Sequence, residues 1–145
     1  MYSALTVANC IIDYCNNKRR GISNLKLQKI LYFVQAEFLI SKLDHSACFY
    51  DRIEAWDFGP VVPSVYHEYK IYGSAIIPFG SGPTPGDEIA PDDYATILEV
   101  VEQILPYSAS QLVEFTHAQD PWKNAYVPGL NGIISNDSIR AYFES

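Results

Sequence analysis

One predicted helix, running from Ser23 to about Lys42, is apolar around nearly its whole circumference. Its main stripe and the rest of its apolar surface are formed by Leu27, Ile30, Leu31, Phe33, Val34, Ala36, Phe38, Leu39 and Ile40. A helix apolar on most sides belongs in the middle of a domain. Gln28, Tyr32 and Gln35 share one face of it at spacings of four and three. Because buried amides and phenols need hydrogen-bond partners, we expect this row to tie the helix to a neighbouring loop.

The rest of the chain predicts further helices around this central one. Ser3 can cap a first helix of about fourteen residues, and Pro63 can open a helix that Gly73 ends. Further helical segments cover residues 92–105, 108–117, 120–122 and 135–143. Ser108 and Gln111 are expected to form a capping box at the second of these segments. Asp120 is expected to cap the third, with Pro121 at its first helical position, and Ser135 the last. Residues 49–50 and 53–56 flank Asp51-Arg52, which predicts a hairpin turn there. We expect a mainly α fold: a single domain over residues 1–145, a compact bundle of six or seven helices with one small β-hairpin.

Charge is unevenly distributed along an acidic chain of net charge -7. Five of the ten basic residues fall between Lys18 and Lys29, and none lies between Lys70 and Lys123. That gap holds Asp87, Glu88, Asp92, Asp93, Glu99, Glu102, Glu114 and Asp120. An acidic chain binds nucleic-acid phosphates poorly, so no direct nucleic-acid partner is expected. The acidic region suits either a basic protein partner or a solvated surface that keeps the protein soluble.

The cysteines and the hydropathy pattern indicate a cytoplasmic protein. Cys10, Cys15 and Cys48 make an odd count without a C-x-x-C pair, which favours reduced, buried thiols over disulfides or a zinc site. The longest apolar run, residues 30–40, is far shorter than the roughly 20 residues that span a bilayer. No secretory signal, membrane span, metal site or cofactor is expected.

Enzymatic motifs are missing from the sequence. The glycine-rich stretch at 80–86 carries prolines and no lysine, so it does not resemble a phosphate-binding loop. A small hydrolase using His117 or Cys48 is the alternative that remains, and it would need partners brought close by folding. We therefore expect the protein not to be an enzyme.

The segment 54–70 concentrates aromatic residues around a Gly59-Pro60 break. Trp56 and Phe58 precede the break, and Tyr66 and Tyr69 follow it at helical spacing. Tyrosine and tryptophan offer large contact areas at low entropic cost and are enriched in protein interfaces. The alternative is an aromatic core, which suits Trp56 and Trp122 best and leaves the tyrosines half-exposed.

Three ordered motifs resemble one known family, the Panacea-domain, SocA-like antitoxins, also described as GepA-like phage-associated proteins. They are LKLQKILYFVQ at 25–35, EAWDFGPVVPSVY at 54–66 and LVEFTHAQDPW at 112–122. From the first motif to the last they span most of the chain. Asp57-Phe58 stands where the family pattern suggests a basic residue followed by Tyr, and Phe33 stands where Tyr is common.

The resemblance implies an antitoxin that binds and neutralises a co-encoded protein toxin. It also implies an alternative mechanism, in which a proteolytic adaptor delivers the toxin to an ATP-dependent protease, the second partner to consider. Family members with an added DNA-binding domain exist, but this sequence leaves no residues for one. For the partner-binding surface we name the aromatic segment and the adjoining turn: Trp56, Asp57, Phe58, Gly59, Pro60, Tyr66, Tyr69, His117 and Trp122.

Overall fold

The computed structural model describes residues 1–80 and 88–145. Within them the chain forms seven α-helices and one small sheet. The helices are α1 (Ala4–Asn17), α2 (Asn24–Ser41), α3 (Pro63–Tyr69), α4 (Pro91–Ile104), α5 (Ala109–His117), α6 (Asp120–Ala125) and α7 (Asn136–Glu144). The strands are β1 (Ile53–Trp56), β2 (Gly59–Val61) and β3 (Gly132–Ile134). The mainly α fold expected from the sequence is confirmed.

Helix α2 lies at the centre, as its all-round apolar surface predicts. It packs against α1, α3, α4, α5, α7 and β2. Its buried residues include Leu27, Ile30, Leu31 and Val34, each with no exposed surface. These six elements are therefore positioned relative to this one helix.

Serine caps begin four of the helices where the sequence predicts them. The side chains of Ser3, Ser23, Ser108 and Ser135 each accept a hydrogen bond from a backbone N–H of the first turn. At α5 the side chain of Gln111 also bonds back to the Ser108 N–H, which completes the expected capping box. The prediction for α6 was wrong in detail, because Asp120 is the first helical residue rather than the cap, and the helix continues to Ala125.

The hairpin turn lies further along the chain than the predicted turn at Asp51-Arg52. Strands β1 and β2 pair in antiparallel fashion around the turn Asp57-Phe58, with Trp56 opposite Gly59. Residues 49–50 instead contact the N-terminus, where Phe49 forms a parallel bridge with Tyr2. The predicted turn residue Asp51 bonds the Ala4 N–H at 2.8 Å and the Ser64 hydroxyl at 2.5 Å. Its carboxylate thus joins two helix starts, a role that only the tertiary structure creates.

A third strand, β3, extends the hairpin to a sheet of order β2-β1-β3. Its three residues pair antiparallel with β1, Ile134 opposite Ile53. The sequence analysis did not predict this strand, because three residues are too few for an alternating pattern to be visible.

The loop between α3 and α4 lies partly outside the described residues. The predicted helix end at Gly73 is confirmed: α3 runs into a single 3-10 turn (Lys70–Tyr72), and Gly73 follows with φ +57°. The glycine- and proline-rich residues 81–87, including Asp87 of the acidic region, are not among the described residues.

Candidate functional site

The turn Asp57-Phe58 is the most prominent feature of the predicted binding segment. Phe58 has 66% of its surface exposed at the tip of the hairpin. A large apolar side chain displayed on a tight turn is a natural contact point for a partner. We call the exposed and half-buried residues Trp56, Asp57, Phe58, Tyr66, His117 and Trp122 the turn surface.

Side chains from the α5–α6 region hold this turn in place. The His117 Nε2 donates to the Asp57 carbonyl at 2.9 Å, and the Trp122 Nε1 donates to the Trp56 carbonyl at 2.8 Å. Because a carbonyl only accepts, the first bond places the His117 ring hydrogen on Nε2. The Tyr126 hydroxyl donates to the Asp57 carboxylate at 2.5 Å, and this bond raises the pKa of Tyr126.

The same three rings are stacked on one another. The His117 and Trp122 centroids lie 4.1 Å apart at 30°, and the Trp122 and Tyr126 centroids lie 4.4 Å apart at 18°. Stacked rings with fixed polar ends restrict one another's rotamers. The turn is therefore preorganised, which lowers the entropic cost of binding through it.

Two buried side chains of α2 support β2 from the other side. Pro60 lies opposite Ala55 and has no N–H, so its carbonyl faces away from β1. The Lys29 ammonium donates to that carbonyl at 3.1 Å, and the Gln28 Oε1 accepts from the Val62 N–H at 2.9 Å. Both side chains have no exposed surface. Helix α2 thus satisfies the outer edge of β2 in the way that another strand would.

Gly59 is where α2, β2 and α5 come closest together. Its φ is +106°, and a Cβ built on it would lie 2.7 Å from the Lys29 Cε and 2.9 Å from the Thr116 Oγ1. Only glycine accommodates both the backbone angle and the contact. Gly59 and the buried Pro60 therefore position the turn and contribute little surface of their own.

Trp56 and Tyr66 form a corner beside the turn. Their ring centroids lie 4.9 Å apart with planes at 64°, and His67 touches both rings. The Trp56 Nε1 donates to the Glu54 carboxylate, which also accepts from Arg52. Burial raises the pKa of Glu54, but these two hydrogen bonds and the nearby positive charge of Arg52 lower it, and the net effect is a lowered pKa.

A cavity of about 220 Å³ opens at this corner. It is lined by Leu25, Gln28, Trp56, Asp57, Phe58, Val61, Tyr66, Gly129 and Asn131. Ligand pockets for drug-sized molecules usually run from about 300 to 1,000 Å³, so this one suits a single side chain.

The structure distributes the predicted site residues over three environments. Asp57 and Phe58 are exposed, and Trp56, Tyr66, His117 and Trp122 are half-buried. Gly59, Pro60 and Tyr69 are buried. Placing Tyr69 on the surface was wrong: its side chain is 2% exposed and its hydroxyl bonds Asn9 on α1. In the short helix α3, Tyr69 follows Tyr66 by three residues, yet α1 covers the Tyr69 side.

Sequence reasoning missed several residues that build this site. Tyr126 follows Trp122 by four residues, which on a helix places both rings on one face, so spacing alone contained that signal. Leu25 and Asn131 gave no local signal, since only folding brings them to the cavity. Lys29 was read as one member of a basic span, although its place in the apolar helix already indicated burial.

Cys48 and His117, the two side chains considered for catalysis, both have structural surroundings. Cys48 is fully buried, and burial raises the pKa of its thiol. Burial likewise raises the pKa of Cys10 to about 12 and that of Cys15 to about 11. The His117 ring is engaged with the Asp57 carbonyl and the Trp122 ring. Cys48 is thus not presented as an accessible nucleophile.

Residues 1–80 and 88–145 show neither a metal-binding cluster nor a membrane-spanning helix. Those residues contain no group of three or more His, Cys, Asp or Glu side chains placed to hold a metal ion. No helix among them is long and apolar enough to cross a bilayer.

Comparison with known proteins identifies relatives. The profile of the family described as "Antitoxin SocA-like, Panacea domain" matches residues 27–123. A protein named "Antitoxin SocA", from Caulobacter vibrioides (strain NA1000 / CB15N), is 37% identical over 139 residues, which cover 88% of this chain and 73% of the relative. No solved structure matches significantly. The matched range runs from within α2 to within α6. It contains all six residues of the turn surface and, of their supports, Gln28 and Lys29 but not Tyr126.

Proposed function

The chain belongs to the SocA-like Panacea-domain family, and from that premise we propose that it is an antitoxin that binds a co-encoded protein toxin and neutralises it by occlusion. The observation that carries this proposal is the relationship itself, which extends over most of the chain to a protein named as an antitoxin. In this proposal the protein acts by binding its toxin in the cytoplasm.

The turn surface is the place where we propose that the toxin binds. Interfaces draw most of their affinity from a few aromatic residues that are held rigid near the centre of the contact. Phe58 is such an anchor, because it is exposed while the turn beneath it is fixed by His117, Trp122 and Tyr126. Trp56 and Tyr66 supply the adjoining wall.

The direct test is co-expression with the product of the neighbouring gene. The two genes are placed under separate inducible promoters, and growth is followed with either or both induced. We expect growth arrest from the neighbour alone and recovery when this protein is present. A neighbour that is harmless alone, or that stays toxic beside this protein, contradicts the proposal.

Two truncations locate the binding surface. We expect Phe58→Ala and Tyr66→Ala each to weaken toxin binding at least tenfold, the loss of roughly 1.4 kcal/mol or more that is typical of an aromatic hot spot. Isothermal titration calorimetry measures the change. Leu43→Ala is the matched control, since Leu43 is a fully exposed apolar residue beyond the end of α2.

Thermal unfolding of the same variants separates binding from folding. Phe58→Ala should unfold within a few degrees of the wild type, because its ring is mostly exposed. If Tyr66→Ala loses its unfolding transition, Tyr66 is a core residue and does not report on the interface. Equal affinities for Phe58→Ala and Leu43→Ala would place the toxin elsewhere.

The adaptor mechanism is the alternative that the same cells can test. An occluding antitoxin leaves the toxin intact, whereas an adaptor shortens its lifetime in a protease-dependent way. Toxin half-life is measured after translation is stopped, with and without this protein. A half-life that falls when the protein is present supports delivery to an ATP-dependent protease and overturns occlusion.

A further inference from the structure

The cavity beside the turn is lined by three aromatic residues and one acidic residue. The aromatic residues are Trp56, Phe58 and Tyr66, and the acidic residue is Asp57. Leu25 and Val61 are the aliphatic residues of the lining, and Gln28 and Asn131 also belong to it. The Gln28 amide is already bonded to Val62 and Asn24. None of the residues described around this cavity is Lys or Arg.

This composition favours a cation over a neutral apolar group. Aromatic faces attract a cation within about 6 Å by roughly 0.5–2 kcal/mol, and a nearby carboxylate adds to that attraction. The Asp57 carboxylate accepts one hydrogen bond from Tyr126 through Oδ1 and keeps acceptor capacity on Oδ2. An occupant of this cavity would therefore lie near three aromatic residues and one acidic residue.

The aliphatic lining suits the stem of a long basic side chain. Arginine and lysine lay their methylene groups along apolar surface while the charged end reaches a polar partner. The volume of about 220 Å³ accommodates one such side chain and is small for a cofactor.

The basic groups near the cavity have hydrogen-bond or ring partners of their own. The Arg52 guanidinium is paired with Glu54 at 2.5 Å. His67 contacts the Trp56 and Tyr66 rings but is not part of the lining. The Lys29 amine is committed to the Pro60 carbonyl beneath the turn.

We propose that this cavity receives an arginine or lysine side chain of the protein partner, held between the Trp56, Phe58 and Tyr66 rings with its charge against Asp57. The inference rests on the proposed function, since it names the chemistry by which the turn surface recognises its toxin. It agrees with the net charge of -7, which attracts a basic partner before contact.

A probe titration tests the site without any toxin. The probes are N-acetyl-arginine N-methylamide and its citrulline counterpart, which has nearly the same shape and no charge. NMR follows the Trp56 indole N–H and the Tyr66 ring. We expect saturable shifts at these resonances, with the arginine probe binding at least fivefold more tightly. Equal affinities, tighter binding of a norleucine probe, or no saturable shift overturns the proposal.

Charge variants distinguish the local site from the acidity of the whole protein. Asp57→Asn removes the carboxylate but keeps an oxygen that can accept from Tyr126. Glu99→Gln removes one charge from an exposed position on α4. We expect the first to weaken arginine-probe binding at least threefold and to leave citrulline-probe binding unchanged. If both variants weaken the arginine probe equally, net charge is responsible and the site assignment fails.

The outcomes also separate this inference from the proposed function. Rescue of growth together with failure of the probe would leave the antitoxin role intact and remove the cation site. Selective binding of the probe without rescue by this protein would keep the site and remove the antitoxin role.

Discussion

Lys29 is a buried amine in the central helix α2. Its side chain has no exposed surface, and burial lowers its pKa from 10.5 to about 7. The ammonium is nonetheless useful, because it satisfies the Pro60 carbonyl at the open edge of β2. A buried polar group of this kind favours one arrangement of the turn over alternatives. The free energy of burying the amine depends on its protonation and therefore on pH.

The stability of the protein should therefore rise between about pH 7 and pH 10.5 through Lys29. In that window the unfolded chain keeps the Lys29 proton and the folded chain has released it, so raising the pH favours folding. The gain is at most about 1.4 kcal/mol per pH unit. Below pH 7 both states carry the proton, and the contribution is constant.

Lys29→Met isolates this effect from the cysteines and tyrosines, which titrate equally in both proteins. We expect the difference in free energy of unfolding, wild type minus variant, to grow by roughly 2 kcal/mol from about pH 7 to about pH 9. Urea denaturation at each pH measures it. Parallel curves for the two proteins would show that Lys29 keeps an ordinary pKa.

Gly59 is the position where the turn tolerates least change. We expect Gly59→Ala to lower the free energy of unfolding by more than about 3 kcal/mol, because the new Cβ adds a clash with Lys29 and Thr116 to the strain of positive φ. Gly73→Ala is the control: Gly73 also has positive φ, but nothing lies within 4 Å of its Cβ position. Similar losses of stability for the two variants would mean that Lys29 and Thr116 move aside for the new Cβ, so that no clash occurs at Gly59.

Helix α2 connects the molecule through the polar row that the sequence predicted. Gln28 reaches the Val62 N–H, Tyr32 reaches Gln119 between α5 and α6, and Gln35 reaches residues 48 and 49. The expected tie to a loop is confirmed, although the row binds three separate segments. One helix face thus sets the position of the hairpin, the α5–α6 turn and the loop before β1.

Gln35→Leu tests how much this row contributes. The Gln35 side chain accepts from the N–H groups of Cys48 and Phe49 and donates to the Phe49 carbonyl. Leaving these buried groups unpaired should cost about 3 kcal/mol or more. Gln103→Leu, the same exchange at an exposed site on α4, should change stability by less than about 0.5 kcal/mol. Chemical denaturation compares them, and equal losses would contradict a structural role for the row.

Considered as a whole, the molecule counters part of its acidic region with basic residues that lie in α2 or just after the ends of α1 and α2. Arg20 pairs with Glu102 at 3.0 Å, and Lys42 pairs with Asp93 at 3.1 Å. The Lys26 ammonium donates to the Leu105 carbonyl at the end of α4. The basic span and the acidic stretch, far apart in sequence, are therefore complementary within the fold. These exposed pairs contribute little stability individually.

The contiguous core leads us to propose that residues 1–145 fold as one cooperative unit. Buried residues from α1, α2, α3, α4, α7 and the sheet belong to one cluster. Far-UV circular dichroism and tryptophan fluorescence should then give coincident urea transitions. Trp56 and Trp122 report on the turn, so an earlier fluorescence transition would show that the sheet and α5–α6 unfold separately.

Local patterns in the chain were sufficient to predict the helices, their serine caps and the central place of α2. Those features depend on neighbours three or four residues away, which a linear pattern contains. Folding alone determined which turn closed the hairpin, that β3 existed, that α1 covered Tyr69 while Tyr66 stayed half-exposed, and that Leu25 and Asn131 met at the cavity. These outcomes depend on contacts between residues 60 or more positions apart, such as His117 with Asp57, whose partners no local pattern specifies.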